Sequence, residues 1–195
     1  MKRTLVAFAL ASMFSSAAFG QSAASETQRD VNQQERIEQG LQSGELSTRE
    51  AGQLEHKEQQ IDRTQAHAMR DGTLSPAEKA RIQREQNQAS RSIYRDKHNA
   101  ALGNPNSASS QRMQADVQRN VEQQERINAG VRSGQLTNRE TANLERGQSH
   151  VDHAEAKAAA NGRVGVGEQA RIQGKEDAQS QRIYHKKHNG RTRAG

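Results

Sequence analysis

The chain has 195 residues, 31% hydrophobic and 3% aromatic, with no Cys, no Trp and a formal net charge of +6. Phe8, Phe14 and Phe19 all lie in the first twenty residues, which leaves Tyr94 and Tyr184 as the remaining aromatics. That composition argues against a large enzyme-type core and excludes disulfide staples, thiolate metal sites and thiol chemistry.

In chain order, Met1-Lys2-Arg3 is a cationic start, Leu5 to Ala18 an apolar run and Ala18-Phe19-Gly20 a small-x-small cleavage site. Together they predict a secretory signal peptide over 1–20, cut before Gln21. The run is too short to span a bilayer and no second one follows, so no transmembrane anchor is expected. The mature chain is placed in the periplasm or outside the cell. Removal of Lys2 and Arg3 leaves a net charge of +4. Residues 21–110 carry 12 basic and 13 acidic side chains and residues 111–195 carry 15 and 10, so the excess sits in the second half.

Sliding the sequence by 90 residues aligns 28–99 with 118–189 without a gap, and 31 of the 72 pairs are identical. This is a tandem duplication. It divides the chain into the signal peptide 1–20, helical repeat 1 over 21–102, a linker 103–111 that reads as flexible, helical repeat 2 over 112–189 and a basic tail 190–195. Val31, Ile37, Leu41, Leu46, Leu54, Ile61, Leu74, Ile82, Ile93 and Tyr94 each meet an apolar partner 90 residues on and form the expected core. Their spacings of four, seven and eleven are helical, and alternation with period two is absent.

Ser43-Gly44 and Asp71-Gly72 read as helix stops, with Ser47/Glu50 and Ser75/Glu78 as capping boxes that restart the chain and Pro76 at a first helical position. Copy two repeats the device at Ser133-Gly134 with Thr137/Glu140, then in a worn form at Asn161-Gly162 with Gly165/Glu168. The fold class is therefore all-α: two tandem three-helix repeats, with helices near 27–42, 48–70 and 76–99 and the same plan 90 residues later.

Histidine is the sharpest candidate for chemistry. His150-x-x-His153 and His185-x-x-His188 each place two imidazoles on one helical face, a geometry that suits Cu(II) or Zn(II) once a third ligand joins. Only His98 and His188 match between the copies, each four residues after a Tyr, and a packed contact closing the third helix accounts for both. Asp71-Gly72-x-Leu74-x-x-x-Glu78 matches the second half of a calcium loop, but the first half lacks carboxylates, so high-affinity calcium binding is not expected. No nucleophile elbow, phosphate-cradling loop or HExxH occurs, so the chain reads as a non-enzyme. Acids alternate with bases along the helices and stacking aromatics are scarce, so no nucleic acid partner is expected.

Gly-x-Leu-(Ser/Thr)-x-x-Glu, followed by a Gln/Arg-rich helix ending in Ile-Tyr-x-x-Lys-His, resembles uncharacterised exported helical tandem-repeat proteins of proteobacteria, a resemblance that implies no activity. Leu46-Ser47-Thr48-Arg49-Glu50 and Leu74-Ser75-Pro76-Ala77-Glu78 are similar to the LTxxQ motif of periplasmic stress chaperones, with Glu in place of Gln. The expected function is an exported binding protein in envelope metal or stress response, holding transition metals through His150, His153, His185 and His188. The alternatives are a chaperone-like or scaffolding module that binds a client protein or a second copy through amphipathic hairpins, and a basic tail that binds anionic envelope polymers.

Overall fold

Glycine and hydroxyl residues punctuate the chain where the sequence places them. The computed structural model describes residues 16–192, with side chains from Ala23 onward. Most of the signal peptide, and Arg193 to Gly195 of the tail, lie outside the described residues. Six helices follow: α1 Ser16–Ser43, α2 Thr48–Ala68, α3 Pro76–Lys97, α4 Ala108–Arg132, α5 Asn138–Ala159 and α6 Val166–Lys187. The described residues contain no strand, and no helix among them is long and apolar enough to cross a membrane.

Ser47, Ser75 and Thr137 each accept from the N–H of the Glu three residues on, which returns a carboxylate to the cap N–H and completes a capping box. Gly165 has no side chain to contribute, so α6 keeps half the device, Gly165 N–H donating to Glu168 Oε2 at 2.8 Å. The loop glycines 44, 72, 134 and 162 take positive φ, a conformation open to glycine at little cost. Gly40 serves a different need. A Cβ there would lie 2.6 Å from Leu46, and at Gly130 it would lie 2.7 Å from Leu136. Bare backbone lets each leucine fold back onto the helix it has just left, with Leu46 N–H bonded to Gly40 O at 2.9 Å.

The repeats are not separate bodies. α1 packs along α4 and α2 along α5, while α3 lies against α1 and α2, and α6 against α4 and α5. Both long pairs are antiparallel. Thr27 meets Asn128 at one end of α1–α4 and Gln114 reaches Leu41 at the other. Arg139 donates to Asp71 O at one end of α2–α5 and Arg49 to Asn161 O at the other. The connector is held in place: Gly103 N–H donates to Gly44 O at 2.9 Å, and Ser107 caps α4, so the last residues read as linker form the first turn of that helix.

Two apolar clusters result, each assembled from both repeats. One joins Ile37, Leu41, Leu46, Leu54 and Ile93 to Met113, Val117, Ala159, Val164 and Ile172. The other joins Met69, Leu74 and Ile82 to Ile127, Val131, Leu136, Leu144 and Ile183. Nine of the ten expected core positions are buried. Tyr94 is the exception, at 62% exposed. Ile93 takes the inward direction, and one residue on, about 100° around the helix, the tyrosine ring stacks on His98 with centroids 4.2 Å apart. Tyr184 and His188 repeat the arrangement at 4.3 Å.

Candidate cation site

Between the two apolar clusters, the middle turns of α1, α2, α4 and α5 are filled with acids and amides. Glu55 and Asp62 follow Leu54 and Ile61 by one residue, so they form a second inward stripe beside the apolar one. Both acids return unchanged as Glu145 and Asp152, beside Leu144 and Val151. α2 is covered on several sides by α1, α3 and α5, which buries this stripe as well. Asp30, Glu55, Glu58, Asp62, Glu145, Asp152 and Glu155 are all at most 2% exposed.

Their ligand atoms converge in two groups of three. Asp30, Asp62 and Glu145 form one, Glu55, Asp152 and Glu155 the other, and in each the carboxylate oxygens lie within 4.8 Å of one another. Two oxygens on a single calcium ion, each about 2.3–2.6 Å from it, are at most about that far apart. The groups exchange under the 90-residue repeat: Asp62 with Asp152 and Glu145 with Glu55. Glu55 and Glu155 meet within one group, and across the two groups the charge of Asp152 adds to the upward shift of Asp62.

The third acid of each group is where the copies differ, and the difference compensates. Copy one has Asp30 with Gln65, whose Nε2 donates to Asp30 Oδ2 at 2.7 Å. Copy two has Asn120 with Glu155, and Asn120 Nδ2 donates to Glu155 Oε2 at 2.7 Å. Acid and amide have changed places, so each group keeps three carboxylates and one amide. Other amides hold the acids in position: Gln86 on Asp30 at 2.7 Å, Gln34 on Glu55 at 3.0 Å and Gln124 on Glu145 at 3.3 Å.

No compensating cation enters the layer among the described ion pairs; the only one reaching a buried acid of this region, Arg119 on Glu176 at 3.2 Å, lies at its margin. Every buried side-chain polar atom left without a partner among the described residues is an oxygen, including one each from Glu55, Glu58, Asp62, Glu145, Asp152 and Glu155 and the amide carbonyls of Gln65 and Gln148. The amides give their N–H groups to carboxylates and leave their own oxygens unanswered. An interior with surplus lone pairs and no donor calls for protons or cations. Burial accordingly raises every acid of the cluster. Asp30 and Glu55 are pushed up to about 7 and Glu145 to about 8, all by desolvation first. Glu58, Asp62, Asp152 and Glu155 stand well above the carboxylate range, through desolvation and then their neighbours' charges.

The histidines lie elsewhere. His150, His153, His185 and His188 are all exposed, and no group of three converging ligands among the described residues includes one. His188 Nδ1 contacts Tyr184 O at 2.7 Å. His150 and His153 line a surface cleft with Arg63, His67, Arg70 and Arg146, and partial burial followed by Lys175 and Arg182 holds the His150 pKa below its ordinary value. The acid layer left a trace in the sequence, since Glu55/Glu145 and Asp62/Asp152 are identical across the duplication. A rule that places acids outside passes over it.

Comparison with family models, curated proteins and solved structures finds no match.

Proposed function

We propose that this is an exported, non-enzymatic binding protein whose cargo is a hard metal cation, held by the two carboxylate groups between its repeats. The observation that carries the reading is the exchange of acid and amide between Asp30/Gln65 and Asn120/Glu155, which preserves an oxygen-only set of constant charge at both sites. Packing alone has no need of that constancy. Oxygen ligands without thiolate or imidazole favour calcium or manganese over copper or zinc. Magnesium, which keeps several of its waters, suits a dry interior less well. The expected pair is one ion per group, with Asp62 and Asp152 between them. Cleavage of residues 1–20 and an envelope role in metal or stress response complete the proposal.

Calorimetry on the mature chain with Ca²⁺ and Mn²⁺ tests it. The expected result is two ions per chain with release of protons, because the raised carboxyls must ionise to ligate. The double variant Asp62→Asn/Asp152→Asn removes uptake, while alanine at His150, His153, His185 and His188 leaves it unchanged. Absence of uptake below about 100 μM, the weak end of useful sites, overturns the proposal. Loss of uptake in the histidine variant hands the site to the imidazoles and to Cu(II) or Zn(II).

A further inference from the structure

Charge on α2 and α5 is sorted by side. Apart from the capping Glu50 and Glu140, every acid on these helices faces the buried layer, and the arginines, lysines and histidines lie at the surface. At three outer positions one basic residue replaces another between the copies, His56 and Arg146, Arg63 and His153, His67 and Lys157, while Lys57 and Arg70 give way to Gly147 and Ala160. Arg49 and Arg139 stay the same and are pinned to loop carbonyls of the opposite repeat, at Asn161 and Asp71. What an arginine and a histidine share in such an exchange is N–H donors, since a guanidinium is no metal ligand.

These positions line two clefts, of about 570 Å³ and 540 Å³, that share His153 as a wall and are related by the repeat. They form one track along the α2–α5 crossing. The five described ion pairs leave Arg63, Arg70, Arg146 and Lys157 without a carboxylate partner. Exposed acids gather on the other long pair, where Glu35, Glu122 and Glu125 join burial in raising Glu38.

We propose that the α2–α5 face is a docking track for a linear polyanion, a flexible chain carrying sulfate, phosphate or carboxylate groups. A chain fits better than a bilayer, because the large exposed apolar side chains, Tyr94, Leu102, Val166 and Tyr184, all lie off α2 and α5, and interfacial helices need apolar residues to insert. A polymer without bases fits better than a nucleic acid, because the track has no Trp, Tyr or Phe, the large rings on which bases stack most strongly.

The test uses the mature chain and dextran sulfate as probe, followed by fluorescence anisotropy over a salt series. Arg63→Glu/Arg146→Glu is compared with Arg84→Glu/Arg91→Glu, which changes net charge equally but on α3. The track variant is expected to bind at least about tenfold more weakly, with a salt slope shallower by roughly one per lost cation; the α3 variant stays within about twofold of the parent. Circular dichroism confirms that both variants fold. Equal weakening of the two variants overturns the proposal, because net charge then explains the binding. So does tighter retention by phosphatidylglycerol vesicles than by dextran sulfate, or no binding of dextran sulfate at low salt.

Discussion

A carboxylate taken out of water without a cation beside it is costly unless it keeps its proton, and seven such groups share one layer here. Their pH dependence follows from the direction of the shifts. The folded, metal-free chain holds protons that the unfolded chain has already released, so stability is greatest near the ordinary carboxylate range and falls as pH rises through the raised values, up to about 8 at Glu145. Thermal melts of metal-stripped protein should show a midpoint that drops steadily from about pH 5 to about pH 8, by a few kcal/mol in stability overall. Saturating calcium should flatten the slope, because an ion takes the place of the protons. In Asp62→Asn/Asp152→Asn the slope should be partly flattened without metal, because two of the seven raised carboxyls are gone, with stability at pH 8 raised by about 1–4 kcal/mol, as when buried charges give way to neutral groups. A metal-stripped protein equally stable at both pH values would show that the layer holds its charge by some other means. Little of this site was legible at single positions. Glu55/Glu145 and Asp62/Asp152 are identical across the duplication, but so is the solvent-facing pair Glu35/Glu125, so identity alone does not mark a buried acid. The swap at Asp30/Gln65 and Asn120/Glu155 gains meaning only once α1 and α2 are known to lie side by side.

Helix boundaries depend on short-range chemistry, and here the sequence is an accurate guide. A hydroxyl cap with Glu three residues on, or a glycine that can take positive φ, acts within one turn whatever packs around it, so all six stops and four of the six starts fall within two residues of expectation. The start of α1 differs because periodicity begins at Val31 while the helix extends back to Ser16; that of α4 differs because Ser107 caps a turn hidden in a Ser- and Asn-rich stretch. Tyr94 misled for a related reason: its match with Tyr184 reflects a shared stack on His98 and His188 at the surface. The caps give measurable expectations. Ser75→Ala and Thr137→Ala should each cost about 1 kcal/mol in urea unfolding. Gly165→Ser should restore the missing half of the α6 box and gain a few tenths of a kcal/mol. Amide exchange in the first turn of α6 should be the faster of the two copies before that change and comparable with α3 after it.

At the scale of the molecule, the duplication has produced an internal partner. Each repeat carries apolar stripes that satisfy periodicity equally well within itself, against the other copy or against another chain, which is why sequence alone left their pairing open. The antiparallel pairs α1–α4 and α2–α5 resolve it: every apolar cluster and both carboxylate groups draw on both copies. Half a chain is therefore half of each core. A fragment of residues 21–102 would expose Ile37, Leu54 and Ile82 on faces that the intact chain buries and would retain Glu55 and Asp62 without Glu145 and Asp152. With so few large apolar side chains, its three helices gain too little from packing to offset the cost of ordering them. Alone and dilute it should show weak helical dichroism and melt without a cooperative transition. Mixed with residues 103–195 it should regain cooperative melting at equimolar ratio, together with cation uptake that neither half possesses. A dilute monomer of 21–102 that melts cooperatively would show that each repeat is a domain in its own right, and the shared layer would then be a contact between two finished units.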